Sequence, residues 1–386
     1  MLFFEPGLAL PPTAVRTAAL RAQVRQFIAE EIASGGFEPQ CNSWTEGLDG
    51  AFSRKLGQRG WIGYHWPTAY GGHGGSAFDT LTINEELLAS GAPVAAHWIA
   101  ARQSAPLLMR FGSEAQRQAF LPRIAAGDTY FAIGMSEPDV GSDLASVRTR
   151  AEFSGGRWRL QGRKVWTSGA HIAHFAIVLC RTAPLDPKTR HAGLSQFIVD
   201  LKAPGVSIRP IVMLDGSHHF NEVTFDGVEL APDSLVGQAG DGWKQVTSEL
   251  AYERSGPERF LSTMPIVERC LRLVLTDAPA AADISAGRLL ARLMTLRNMS
   301  LAIWGALEAG RSPAIEAAMV KDLGTNYERD TLELVRDAMD ADARVAGDSA
   351  LAHLLVAAWP LAPTYNLRGG TNEILRNMIA KQLQAR

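Results

Sequence analysis

Apolar positions recur at helical spacing at the start of the chain. Val15, Leu20, Val24, Phe27, Ile28 and Ile32 predict an amphipathic helix over residues 13–34, ending before Gly35-Gly36. The same period returns from Phe78 to Met109 and over Glu114–Ala126, so residues 1–127 are expected to form a helical domain. The period changes at Gly127-Asp128. The segments Thr129–Gly134, Ser146–Phe153, Arg157–Gln161, Lys164–Trp166, His174–Arg181, Leu194–Val199 and His219–Phe225 are short and β-rich, with Asn, Asp, Gly or Pro between them. They predict a β-domain over residues 128–236. Residues 237–386 are Ala/Leu-rich with long helical periodicity, which predicts a helical bundle. The expected fold class is α+β, with helices, then strands, then helices along the chain.

Composition narrows this little but consistently. The 386 residues exceed what one core holds, and 46% hydrophobic with 20% charged residues fits a globular protein. The net charge of −2 gives no footprint for nucleic acid or an anionic membrane, and no apolar run is long enough to span a bilayer. The N-terminus shows no secretory signal, and Cys41, Cys180 and Cys270 are scattered and odd in number, which suits a reducing cytoplasm. No metal site is expected: His218 and His219 are adjacent and on a strand would face opposite ways. Tyr70–Gly75 is glycine-rich but lacks Lys-Ser/Thr, so a tight turn is expected there and not a phosphate loop.

Two loops carry the candidate chemistry. The first is Gly134-Met135-Ser136-Glu137-Pro138-Asp139-Val140-Gly141-Ser142-Asp143, and the second is Trp166-Thr167-Ser168-Gly169. Pro138, Gly141 and Asp143 alone would suit a plain turn. Together the two loops offer backbone N–H groups, hydroxyls and an indole to a planar ligand with polar edges. The order Ser-Glu-Pro-x-x-Gly-Ser-Asp, followed by Lys-x-Trp-Thr-Ser-Gly, closely resembles the flavin-contacting signature of the acyl-CoA dehydrogenases. A further match, Arg368-Gly369-Gly370-Thr371-Asn372-Glu373, lies near the C-terminus, and the resemblance covers nearly the whole chain.

The resemblance implies FAD bound between the β-domain and the C-terminal bundle, with an acyl-CoA thioester against it. A carboxylate would remove the α-proton while hydride passes from the β-carbon to flavin N5. By match, Met135, Ser136, Gly141 and Ser142 form the first flavin loop, with Ser142 also near the substrate. Trp166, Thr167 and Ser168 flank the isoalloxazine, and Thr371 and Glu373 contact the cofactor. Gly369 and Gly370 border the substrate, and Arg254 matches an arginine directed at the CoA nucleotide. Thr371 also suits the N-cap of a helix with Ile374, Leu375, Met378 and Ile379 on one stripe, and such an N-terminus favours a diphosphate or an electron-rich ring edge.

Many members carry the catalytic glutamate at the position held here by Gly369. A second family solution, as in isovaleryl-CoA dehydrogenase, puts the base on an earlier helix, and Glu253 of Leu250-Ala251-Tyr252-Glu253-Arg254 matches it. Periodicity supports this independently, because Trp243, Val246, Leu250 and Glu253 are spaced by three and four. A carboxylate on an apolar stripe suits an enclosed pocket, where loss of water strengthens a base. The plainer alternative is an ion pair with a neighbouring arginine; for Arg254 it is a solvated surface charge. Gly256-Pro257 should end the helix, leaving Glu253 in its last turn.

The match fails in two places. Homotetrameric members lend a neighbour's FAD an Arg-x-x-Phe-Gly segment and a Gln-x-x-Gly-Gly segment; residues 271–300 and 341–360 contain neither. The resemblance therefore points to the catalytic chain of a two-chain α2β2 assembly, like the steroid side-chain enzymes, or to a homo-oligomer with other residues in those roles. An electron-transferring flavoprotein is the implied acceptor. The competing readings are a flavin monooxygenase on the same fold and a non-catalytic supporting subunit.

Overall fold

The computed structural model describes residues 17–274, 280–311 and 313–384, with the side chains of 249–252 and 280–285 left aside. The chain forms two interleaved compact units. The first comprises Met1–Gly47, Ser76–Pro93 and Ala251–Arg386, and the second Leu48–Gly75 and Val94–Leu250.

The second unit is built on one seven-stranded sheet, with the expected α+β character. Its strands are β1 (Phe131–Gly134), β2 (Arg150–Ser154), β3 (Arg157–Lys164), β4 (Phe175–Arg181), β5 (Leu194–Asp200), β6 (Val206–Ile211) and β7 (Phe220–Leu230). The order is β1-β4-β2-β3-β7-β6, with β5 also paired to β4. β1 and β4 are parallel, whereas β3–β7, β4–β5 and β6–β7 are antiparallel ladders. Leu160, Val178, Phe197, Val199, Val223 and Phe225 fill its core. The helix Glu114–Ala125 packs on it through Phe120, whose ring meets Phe131 and Phe175 edge-on at 5.4 and 5.1 Å. Its start is fixed by a capping box between Ser113 and Gln116.

The first unit is helical. Its central helix, Ala77–Ala89, is buried along most of its length and starts in a capping box of Ser76 and Asp79. Burial of Glu85 and Glu86 is made tolerable by cations: Arg297 reaches Glu85 at 2.8 and 2.9 Å, Arg25 reaches Glu86 at 2.7 Å, and Arg21 bonds to both. Phe78 and Leu81 pack against Leu301 and Trp304 of the helix Ala280–Glu308. The helices Met264–Val274, Ala314–Ala341 and Asn372–Gln384 complete the part that carries the candidate base.

Several sequence expectations are refined. The first helix runs Ala18–Ala33, with Val24, Phe27 and Ile28 buried; Ile32 is exposed, and Val15 lies outside the described residues. The Phe78–Met109 period is not one helix. Gly91-Ala92-Pro93 interrupt it, and it resumes as Ala95–Ile99, a π-helical turn Ala100–Ser104 and Ala105–Phe111. Strand β6 was not anticipated, because Pro210 interrupts its pattern; it pairs only with β7, at the sheet's edge, where proline is tolerated. His218 and His219 precede β7 and are not on a strand: His219 is buried and His218 stacks on His171 at 4.3 Å. Among the described residues no group of three or more His, Cys, Asp or Glu could hold a metal, and no helix is long and apolar enough to cross a membrane.

Candidate active site

In the second unit, β1 delivers Met135 and Ser136, and β3 delivers Trp166, Thr167 and Ser168. A buried ion pair ties the two loops. Lys164, fully buried at the end of β3, donates to the Met135 carbonyl at 2.8 Å and to the Glu137 carboxylate at 2.9 Å. Glu137 also accepts from the backbone N–H groups of Arg148 and Thr149 at 2.7 and 2.9 Å. Burial alone would raise the Glu137 carboxyl; the Lys164 ammonium together with the Arg148 and Thr149 donors outweighs it and holds the group below its ordinary value. Val165 N–H donates to the Ser136 carbonyl at 2.9 Å, so the register of one loop sets the other. Glu137 and Lys164 stand inside the two motifs, yet sequence reading gave them no role.

The second loop is sewn to β7: Thr167 and Asn221 exchange both backbone hydrogen bonds, at 3.0 and 3.1 Å, and Gly169 N–H donates to the His219 carbonyl at 2.7 Å. Trp166 adopts φ +57, rare for a bulky residue, and the residue is 55% exposed. The surroundings thus force a strained backbone that turns an indole outward. The Thr167 hydroxyl is buried without a partner, and those of Ser136, Ser142 and Ser168 make no hydrogen bond among the described residues. Gly141 and Ser142 are exposed, while neighbouring Asp143 is engaged by Ser146 at 2.6 Å and Arg190 at 2.7 Å. An outward indole with spare hydroxyls beside it fits a flat, polar-edged group such as a flavin. Trp166→Ala should weaken FAD retention or shift its visible absorption; unchanged retention and spectrum would show that the indole does not touch the ring.

In the first unit, the structure brings Glu253, Arg254, Gly369 and Gly370 together. Helix Gly242–Ser255 places Glu253 in its last turn and stops before Gly256-Pro257, as expected. On its stripe Val246 is buried and Trp243 partly buried against His191 at 4.0 Å; the Leu250 side chain lies outside the described residues. Glu253 accepts from Arg259 Nη2 at 2.9 Å, while Arg259 Nε donates to the Glu253 carbonyl at 3.0 Å. So an ion pair with an arginine does exist, and the arginine is Arg259. Gly369 has φ +70, and a Cβ there would lie 2.9 Å from Arg259 Nη2 and 3.0 Å from Glu253 Oε1. The pair fills the room that the missing side chain leaves.

Arg254 is no surface charge: it is 5% exposed. Its acceptors are the Gly369 carbonyl at 3.3 Å and the Met378 sulfur at 3.8 Å, with no carboxylate in salt-bridge reach among the described residues. Burial lowers its pKa, with Glu253 opposing. A buried cation without a counter-ion is suited to an anionic ligand. Beside it, Arg368 donates to Ser262 at 2.8 Å and Glu328 at 2.9 Å, also bonds to Asn42, and stacks on Trp44 and Tyr365. Lys321 holds the Asn366 carbonyl and Asn372 Oδ1 at 2.9 and 2.6 Å, and burial with nearby arginines pushes its pKa down to about 7. These bonds fix the loop that contains Gly369 and Gly370. Thr371 caps its helix weakly, its hydroxyl accepting from Ile374 N–H at 3.5 Å. Of the predicted stripe, Leu375 is buried, Met378 and Ile379 are partly buried and Ile374 is exposed; Glu373 is exposed in the first turn.

Arg259 escaped sequence reading because it lies beyond the helix break, out of reach of any helical spacing. Glu328 and Lys321 reach this loop from a separate helix, a proximity that only the tertiary fold creates.

Comparison with known proteins shows the family. Residues 16–128 match the family description "Acyl-CoA dehydrogenase, N-terminal domain", and residues 132–228 match "Acyl-CoA dehydrogenase, middle domain". The acyl-CoA dehydrogenase IpdE1 of Mycobacterium tuberculosis is 33% identical, the alignment covering 94% of this chain and 96% of that protein. Among solved structures, the Tcur3481-Tcur3483 steroid ACAD is similar with a TM-score of 0.83 and 28% identity, covering 98% of this chain and 99% of that one. The ChsE4-ChsE5 complex from Mycobacterium tuberculosis is similar with a TM-score of 0.78 and 29% identity, covering 96% and 98%. The chain belongs to the acyl-CoA dehydrogenase family, the FAD-dependent oxidoreductases that desaturate acyl-CoA thioesters.

Proposed function

We propose that Glu253 is the base that removes the α-proton of the acyl thioester, and that this chain is the catalytic member of a two-chain assembly. The observation that carries the first part is the complementarity of Glu253 and Gly369. The usual base position has no side chain, and the Glu253–Arg259 pair occupies the space where one would begin. Met135, Ser136, Gly141, Ser142, Trp166, Thr167, Ser168, Thr371 and Glu373 would hold FAD. FAD supplies the acceptor for the β-hydride. The chain's own residues would do the rest: Ser142, Gly369 and Gly370 orient the thioester, Arg254 takes an anionic part of CoA, and Glu253 takes the proton on a carboxylate oxygen. Lys164 and Glu137 fix the Met135 carbonyl and the Arg148 and Thr149 backbone, so the first loop would be held in place before a cofactor binds.

The monooxygenase reading loses ground because it requires no α-proton base, and the supporting-subunit reading because such a chain need not keep the spare hydroxyls and the strained Trp166. An electron-transferring flavoprotein is the acceptor we favour. The three cysteines are buried and free, with burial pushing the Cys41 and Cys180 thiols up to about 12, which suits a reducing cytoplasm.

The two-chain part rests on the missing Arg-x-x-Phe-Gly and Gln-x-x-Gly-Gly segments, and two of the similar structures are named as pairs. A symmetric homo-oligomer would leave each diphosphate short of a charge-assisted contact, about 1.5–3 kcal/mol or roughly 10–100-fold in affinity. The chain expressed alone should be poorly flavinated, and co-expression with a homologue carrying both segments should restore about one FAD per heterodimer. A homo-oligomer with a tight FAD in every subunit and full turnover would contradict this.

A further inference from the structure

We infer that Arg259 is the positioning residue of the proton-transfer step, holding both the backbone and the carboxylate of Glu253. The inference rests on Glu253 being the base. Its Nε binds the Glu253 carbonyl at 3.0 Å and its Nη2 the Glu253 carboxylate at 2.9 Å. One rigid guanidinium thereby fixes the main chain of the last helical turn and the side chain that leaves it. That turn needs such a clamp. The helix stops before Gly256-Pro257, so the Glu253 carbonyl has no continuing helix to bond, and an end of this kind frays unless something binds it.

Burial and cost point the same way. Arg259 is 2% exposed, lies over the Trp44 ring at 5.2 Å, and leaves its Nη1 buried without a partner. An unpaired buried donor is destabilising, and a purely structural filler here would be better made of apolar groups. Gly369 completes the device. A Cβ there would crowd Nη2 at 2.9 Å and Oε1 at 3.0 Å, so a side chain at position 369 would require the two ends of the clamp to shift.

The test reads proton transfer without hydride transfer. Methylthioacetyl-CoA has sulfur in place of the β-carbon, so its α-hydrogens can exchange with deuterated water while no hydride leaves. Exchange is followed by NMR in the FAD-loaded complex, along with melting temperature and flavin spectrum. Glu253→Gln should abolish exchange. Arg259→Gln should slow it by about tenfold or more with flavin content kept, as expected for a misplaced general base. Arg259→Lys, which keeps charge but loses the fork, should recover only part. Parental exchange in both Arg259 variants beside a dead Glu253→Gln would overturn this inference alone. Full exchange in Glu253→Gln would overturn the base assignment and this inference together. If Arg259→Gln fails to fold, Arg259→Lys decides: parental exchange overturns the inference and slowed exchange upholds it.

Discussion

Glu253→Gln should reduce substrate-driven flavin reduction by about 10²–10⁴-fold while FAD stays bound, the usual contribution of a general base. Glutamine keeps the shape and can still accept from Arg259 Nη2, so the clamp and the Gly369 loop should survive the exchange. What is lost is the ability to take a proton. Rapid-mixing absorbance of the flavin band measures the effect. A variant that keeps more than roughly a tenth of the parental rate is incompatible with the base assignment, since even modest general-base catalysis exceeds that margin.

Lys164→Met should destabilise the protein by about 3–5 kcal/mol, because it strands the Glu137 carboxylate in the interior with its cation gone. The damage should spread beyond stability. Lys164 also holds the Met135 carbonyl, and Glu137 holds the backbone of Arg148 and Thr149, so both cofactor loops should loosen. Denaturant unfolding and FAD content report the two consequences. The double variant Lys164→Met/Glu137→Met should recover part of the stability, as replacing a buried pair costs less than breaking it. If the double variant is no more stable than Lys164→Met alone, the penalty does not come from the stranded carboxylate.

The α+β class was legible because periodicity switches at Gly127-Asp128 and back before Trp243. Boundaries were less so. β6 hid behind Pro210, and the Phe78–Met109 segment kept a helical period through Gly91-Ala92-Pro93, although those residues break the chain direction. Both candidate loops could be read because their residues are contiguous, and Glu253 because its helix carries the period to its last turn. The Gly369 absence was visible; its steric partner was not. Arg259, Arg368 with Glu328, and Lys321 act across gaps that no local pattern spans. Lys164 and Glu137 differ: their positions were in plain view, but a strand-end lysine ordinarily reaches solvent, and only the fold reveals it fully buried.

The most direct measurement is anaerobic mixing of the FAD-loaded complex with a panel of straight-chain, branched and ring-bearing acyl-CoA thioesters. The account predicts that at least one thioester bleaches the flavin and yields an equal amount of its α,β-unsaturated product, and that Glu253→Gln blocks both. Flavin that stays oxidised with every thioester, yet is reduced by a nicotinamide and then consumes oxygen, would contradict it.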